Sequence, residues 1–323
     1  MKGEVIFIVG PTATGKSEVA VELAKLINAE VISCDSMQIY KGMDIIASYP
    51  PAKLRRKIPH HLVSVVSPQR EFNVNQYRRR ALGLLRRIIK NGKPVIFVGG
   101  TGLYMSVMID GIFKGGKEDK RLRSRLYRLA EKKGVSYIYK KLVKVDPDAA
   151  KRIHPHDRKR IVRALEVYQG TGKPISVLQR QRRGLADDYD IKSFYLDLNR
   201  QELYRRIDSR LQGMFEDGLI KEVKRLLETR LSRTASCAIG IKELSEYLGD
   251  RMGLTDSKAL ISRNTRNYAK RQISWFRRDK RIQWIKVKKI DSPKEIAIRI
   301  CQMIPGLTER KRTKARRKNL TQH

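Results

Sequence analysis

Gly10-Pro11-Thr12-Ala13-Thr14-Gly15-Lys16-Ser17 lies between the apolar run Val5-Ile6-Phe7-Ile8-Val9 and a helical pattern. That pattern puts Val19, Ala20, Leu23, Ala24 and Ile27 on one face. Strand, glycine-bounded loop and helix is the context in which G-x-x-x-x-G-K-[ST] reads as a P-loop. The glycines let the backbone curl so that several N–H groups point at one anion. The helix N-terminus adds partial positive charge, Lys16 neutralises phosphate oxygens, and the Ser17 hydroxyl is a Mg²⁺ ligand of the right type. The stretch therefore predicts a phosphate-binding site formed by Gly10, Pro11, Thr12, Ala13, Thr14, Gly15, Lys16 and Ser17.

Working outward, residues 4–9, 30–33 and 94–98 read as short buried strands, with helical patterns at 16–28 and 74–90. Alternating β and α elements predict an α/β fold, a P-loop NTPase-like parallel sheet core with ligands at the C-terminal ends of its strands. Ser33-Cys34-Asp35-Ser36-Met37-Gln38-Ile39-Tyr40 follows the second strand, and Gly99-Gly100-Thr101-Gly102-Leu103-Tyr104 follows the third. With the P-loop, these make three polar clusters expected to converge on one cleft. The alternation then stops until Phe194-Tyr195-Leu196-Asp197-Leu198. A crossover of that length is not a loop, so residues 115–190 are expected to form an inserted helical subdomain. Residues 1–114 and 191–304 would form the core domain, and the basic tail 305–323 is expected to be disordered.

Beyond the insertion, Leu203, Ile207, Leu211, Phe215, Leu219, Val223 and Leu227 recur every four residues as a core face, with Gly218 placed to split the helix. A second helix is expected at 258–278, where arginines and lysines alternate with Tyr268, Trp275 and Phe276. Those aromatics read either as core or as platforms for bases. A last strand is expected at 282–287.

Composition narrows the class of partner. Lys plus Arg number 71 against 33 acidic residues, a formal charge of +38 over 323 residues. Nucleic acid is the leading partner for such an excess. Within the insertion, Lys151, Arg152, Arg158, Lys159, Arg160 and Arg163 crowd against Asp157 and Glu166. This run is either a solvated face or a set of phosphate contacts. Cys34, Cys237 and Cys301 lie far apart without metal-site spacing, which fits a reducing cytoplasm. No apolar run is long enough to cross a bilayer, so no membrane partner is expected.

Together these motifs resemble the tRNA dimethylallyltransferase (IPP transferase) family. Further matching stretches are Pro59-His60-His61-Leu62, the run from Asp157 through Val167, Gly172-Lys173-Pro174-Ile175-Ser176, Ile239-Gly240-Ile241-Lys242-Glu243 and Thr265-Arg266-Asn267-Tyr268-Ala269-Lys270-Arg271-Gln272. The zinc-finger extension of eukaryotic members has no counterpart here, so the resemblance is to the bacterial type. Two departures stand out. Ile46-Ala47-Ser48-Tyr49-Pro50 replaces the family's Gly-Thr-Ala-Lys-Pro, and Ile241 stands where the family has Tyr.

The resemblance implies transfer of a dimethylallyl group from dimethylallyl diphosphate to the N6 of adenine 37 beside the anticodon, with Mg²⁺ as cofactor. The P-loop would then cradle a leaving pyrophosphate. It also implies a general base at Asp35, with a Mg²⁺-ligand role as the alternative that can coexist with it, and a positioning role for Thr101. Arg210 is placed to neutralise pyrophosphate if its helix packs on the sheet; otherwise it is a surface arginine. The family's tRNA contacts fall on Asp35, Ser36, Met37, Gln38, Thr101, Arg123, Lys159, Arg160, Ile161, Val162 and Arg163. The expected partners are a tRNA anticodon stem-loop and dimethylallyl diphosphate, with the chain acting as a cytoplasmic monomer. Three alternatives remain at this stage: a P-loop kinase of small metabolites, a non-catalytic RNA-binding protein, and an isopentenyltransferase acting on free adenine nucleotides.

Overall fold

Val5, Ile6, Phe7, Ile8 and Val9 are each fully buried, and a run buried on both faces belongs in the middle of a parallel sheet. The computed structural model, which describes residues 3–113 and 119–304, places it there. Six strands, β1 (Glu4–Val9), β2 (Glu30–Ser33), β3 (His60–His61), β4 (Val95–Gly99), β5 (Asp190–Leu198) and β6 (Ile282–Val287), form one sheet in the order β3-β2-β4-β1-β5-β6. Every pairing is parallel. Side chains alternate across the sheet. Ile6 and Ile8 join Ile96, Val98, Phe194 and Leu196 in a core shared with helices Lys16–Ile27 and Pro293–Gln302. On the opposite face Phe7 stacks on Phe97 with ring centroids 4.7 Å apart.

The register fixes where the loops emerge. Val9 of β1 pairs with Gly99 of β4, and Ser33 of β2 pairs with Val98. The P-loop, the Asp35 turn and the Gly99–Gly100 turn therefore leave adjacent strands at the same level.

The described residues divide into two compact units, one on either side of boundaries at 108/109 and 187/188, the second lying between them in sequence. The second is helical, with helices Lys120–Lys133, Val135–Val145 and Arg158–Thr171 around Leu126, Ile138, Leu142, Ile161 and Leu165. Asp146 is buried there and fully used: Oδ1 accepts from the Ala149 N–H and Oδ2 from the Ser176 N–H. The basic tail 305–323 lies outside the described residues.

Several elements differ from the sequence reading. β5 begins at Asp190, four residues before the apolar run, because Asp190 through Ser193 pair with Glu4 through Phe7. β3 was not expected; it consists of two histidines with no apolar signature. The long amphipathic stretch does break at Gly218, whose φ of 96° suits glycine, giving helices Arg200–Glu216 and Leu219–Leu227. Leu227 ends that stripe exposed.

Candidate active site

Two residues of the P-loop, Ala13 and Gly15, have left-handed backbone (φ 66° and 80°). That curl gathers successive N–H groups into an anion-binding nest at the start of helix Lys16–Ile27. The Thr14 hydroxyl stitches the loop by donating to the Pro11 carbonyl at 2.9 Å. Lys16 Nζ donates to the same carbonyl at 2.6 Å. Burial pushes the Lys16 ammonium down from 10.5 to about 8, with the Asp35 carboxylate pulling the other way and Arg210 adding to the fall.

Arg210 comes from helix Arg200–Glu216. Burial lowers its pKa against the opposing pull of Asp35 and Glu18. Among the described residues it has no ion-pair partner within 4.0 Å. Lys16, Asp35 and Arg210 thus occupy one electrostatic neighbourhood, as expected of a cleft that takes an anion.

Asp35 is half-buried at the end of β2. Its Oδ1 accepts from the Met37 N–H at 2.9 Å, which folds the turn back on itself. Thr101 locks the turn to the next strand: its hydroxyl accepts from the Ser36 N–H at 3.0 Å and donates to Ser36 Oγ at 3.3 Å. The Thr101 N–H in turn donates to the Cys34 carbonyl. Beneath them Tyr77 donates to the Ser33 carbonyl and stacks on Tyr104. The three strand-end clusters do converge, so Asp35 and Thr101 are held side by side on rigid elements.

The glycines after β4 are there for close approach. A Cβ on Gly99 would lie 2.2 Å from the Cys34 carbonyl oxygen, and one on Gly100 2.1 Å from Gln272 Nε2. Helix Leu254–Phe276 supplies that glutamine and also Tyr268, whose side chain lies beside those of Thr101 and Gln272. Of its three aromatics, only Phe276 is core; Tyr268 lines the cleft and Trp275 stays 37% exposed. Tyr268 and Gln272 were absent from the sequence-derived site. Their signal was the matching run from Thr265 to Gln272, which carried no role of its own.

The remaining expected contacts separate by geometry. The Gln38 amide is engaged at both ends, accepting from Ser33 Oγ and donating to the Ser48 carbonyl. The divergent 46–49 loop is pinned by buried Glu222, whose carboxylate accepts from the Ile45 and Ile46 N–H groups. Burial pushes that carboxyl upward. In the helical unit, Ile161 and Val162 are 0% and 1% exposed and belong to its core. Their side chains pack inward, so the exposed surface of this stretch is made by its basic residues. Arg123 and Arg163 both bond Oε2 of buried Glu166, at 2.8 and 2.9 Å. Arg160 pairs with Asp157 on the surface, and Lys159 is exposed.

No group of three His, Cys, Asp or Glu residues among those described could cage a metal. His60 and His61 are occupied otherwise, by the Ile58 carbonyl and by Glu30.

Comparison with known proteins gives a consistent result. The family model described as IPP transferase matches residues 38–279, and that described as isopentenyl transferase matches residues 3–61. Among curated relatives, tRNA dimethylallyltransferase 2 of Geotalea uraniireducens is 44% identical over 287 residues, 88% of this chain and 92% of its own length. The tRNA dimethylallyltransferase of Moorella thermoacetica is 44% identical over 304 residues, 92% of this chain and 94% of its own. The crystal structure of full-length tRNA isopentenylpyrophosphate transferase from Bacillus halodurans superposes with a TM-score of 0.71 at 36% identity, covering 100% of both chains. A eukaryotic dimethylallyltransferase acting on tRNA superposes with a TM-score of 0.75 at 30% identity, covering 89% of this chain and 75% of its own.

Proposed function

This chain belongs to the IPP transferase family, and from that premise we infer how its cleft prenylates tRNA. The donor is dimethylallyl diphosphate and the acceptor is the N6 of the adenine next to the anticodon. The observation that carries this reading is the juxtaposition of the P-loop nest and its two cations with Asp35 and Thr101 on adjacent strand ends.

The acceptor amine is a weak nucleophile because its lone pair is delocalised into the purine. As N6 bonds to the allylic carbon, the carbon–oxygen bond to the diphosphate breaks and pyrophosphate carries the electron pair away. The N6 proton passes to Asp35, whose Oδ2 is clear of the Met37 amide that holds Oδ1. A carboxylate base of this kind contributes about 10²–10⁴-fold. Lys16, Arg210 and the nest amides meet the charge that grows on the departing oxygens, where preorganised donors count most. Thr101 fixes the Asp35 turn through Ser36 and so sets the direction from which the base acts.

The Ser17 hydroxyl and the Asp35 carboxylate fit Mg²⁺ bound chiefly through substrate phosphates and water, the usual manner for this ion. Held there, Mg²⁺ would supply positive charge to the diphosphate oxygens. On this reading a Mg²⁺ contact and the base role coexist at Asp35.

To reach the cleft the adenine must leave its stack, at a cost of a few kcal/mol. Lys159, Arg160 and Arg163 are of the type that holds phosphates around an extruded base, which assigns tRNA binding to the helical unit. The work is done in the cytoplasm, consistent with the free cysteines Cys34, Cys237 and Cys301. No described helix is long and apolar enough to cross a membrane.

Incubation with dimethylallyl diphosphate and Mg²⁺ tests the whole reading. With tRNA, the digest should contain prenylated adenosine and release an equal amount of pyrophosphate. Prenylated product from AMP but none from tRNA would overturn the acceptor. Phosphate transfer from ATP to a small metabolite would overturn the reaction itself.

A further inference from the structure

β1 and β4 are joined by ladder hydrogen bonds as far as the pair Val9 and Gly99. Beyond that pair both chains become loops: one cradles phosphate and the other carries Thr101. Gln272 sits across the gap, 5% exposed. Its Oε1 accepts from the Thr12 N–H at 3.0 Å, and its Nε2 donates to the Gly100 carbonyl at 2.9 Å. A side-chain amide offers the same donor and acceptor as a peptide group. Gln272 therefore acts as one further rung between two strands that have already ended.

The surroundings are shaped to admit it. Gly100 has no Cβ to collide with Nε2, and Gly102 likewise leaves room for the Trp275 ring, 2.2 Å from where its Cβ would be. Tyr268, Gln272 and Trp275 stand four and three residues apart on one helix face. That face meets Thr101, Gly100 and Gly102 respectively. One helix thus registers the whole loop against the P-loop.

We propose that Gln272 is a positioning residue for prenyl transfer, fixing the diphosphate cradle relative to Thr101 and Asp35 through its bonds to Thr12 and Gly100. It acts through the two loops it spans. The proposal rests on the prenyl-transfer reading of this cleft.

The test compares wild type with Gln272→Met, Gln272→Glu and Gly100→Ala. Met keeps the length without hydrogen bonds, and Glu keeps the shape but lacks the donor when ionised. Gly100→Ala leaves the glutamine in place and displaces its Nε2 from the carbonyl. The readouts are pyrophosphate affinity by calorimetry in magnesium buffer, kcat and KM for dimethylallyl diphosphate at saturating tRNA, tRNA affinity, and the thermal midpoint.

Gln272→Met is expected to weaken pyrophosphate binding ~10-fold, the effect of one or two buried hydrogen bonds. KM should rise, kcat should fall, and tRNA affinity should hold. Gln272→Glu and Gly100→Ala should reproduce the direction, and Gly100→Ala with Gln272→Met should be no worse than the worse single change. A lowered thermal midpoint with unchanged pyrophosphate affinity and kcat would reduce Gln272 to a packing residue and overturn the proposal. Additive losses would do the same. Wild type that fails to bind pyrophosphate would instead overturn the prenyl-transfer reading beneath it.

Discussion

Lys16 should make the enzyme lose its donor at mildly alkaline pH. Burial brings its ammonium from 10.5 down to about 8, so roughly nine in ten side chains are charged at pH 7 and about one in ten at pH 9. The donor's diphosphate is fully ionised above roughly pH 7, leaving Lys16 as the group that titrates. The kcat/KM for dimethylallyl diphosphate should be flat below about pH 7.5 and fall about tenfold per unit well above pH 8. Lys16→Arg should abolish that fall, whatever its plateau, because a guanidinium stays charged. Stability carries the same signature. The folded pKa lies below the unfolded value, so between about 8 and 10.5 the unfolded chain binds more protons and stability rises with pH. Below pH 8 the buried ammonium costs up to ~3 kcal/mol. Lys16→Met should therefore melt higher than wild type at pH 7, and the gap should close as pH approaches 10.5. A wild-type kcat/KM that stays flat to pH 9.5, or no stability gain in Lys16→Met at pH 7, would refute the reasoning.

Asp35→Asn should lower kcat by ~10²–10⁴-fold with little loss of tRNA affinity; a kcat within a few-fold of wild type would remove the base role. Arg210→Met should raise the thermal midpoint, since it removes a desolvated cation with no described ion-pair partner, while weakening pyrophosphate binding at least ~10-fold; a lower midpoint with intact binding would count against the site. Lys159→Gln with Arg160→Gln should lower the salt slope of tRNA binding by roughly 0.7–0.9 per lost phosphate contact, and two parallel salt lines of equal affinity would make that surface a solvated face. Arg123→Gln should mainly cost stability, ~1–3 kcal/mol by thermal or urea unfolding, because it takes one of two partners from buried Glu166; an unchanged midpoint would show that Arg163 alone suffices.

What could be read from the sequence follows from which interactions leave a local trace. β1, β2 and the end of β4 were legible because each is an apolar run closed by glycine or polar residues, and the P-loop fixed their direction. The Gly218 break was legible because a glycine inside a helical period weakens the helix and readily takes the left-handed backbone that ends it. β3 left no trace: its two histidines pair through backbone groups, with Val31 N–H reaching the Pro59 carbonyl. The start of β5 was hidden because Asp190 and Lys192 are polar residues held by pairing with β1. Gln272 was invisible for a related reason. Its partner Thr12 is 260 residues away, and nothing about a glutamine in a basic helix says which backbone it will bridge.

The charged residues show the same division between local and distant causes. A run of arginines reads as one feature in sequence, yet the fold gives its members different work. Arg163 bonds buried Glu166, Arg160 pairs with Asp157 on the surface, and Lys159 stands exposed. In the cleft the distribution is the reverse. Two cations, Lys16 and Arg210, feel the carboxylates of Asp35 and Glu18 without closing an ion pair on either, and one oxygen of Asp35 already holds the Met37 amide. For both cations burial outweighs the pull of those carboxylates, so each charge is held at a cost. An anion carrying several charges, taken up by the nest amides, offsets the cost at both cations at once. Binding and stability are then coupled: whatever diphosphate gains from Lys16 and Arg210, the folded chain gains from the diphosphate. Pyrophosphate should raise the thermal midpoint of wild type, and raise it less in Arg210→Met, where part of the cost has already been removed.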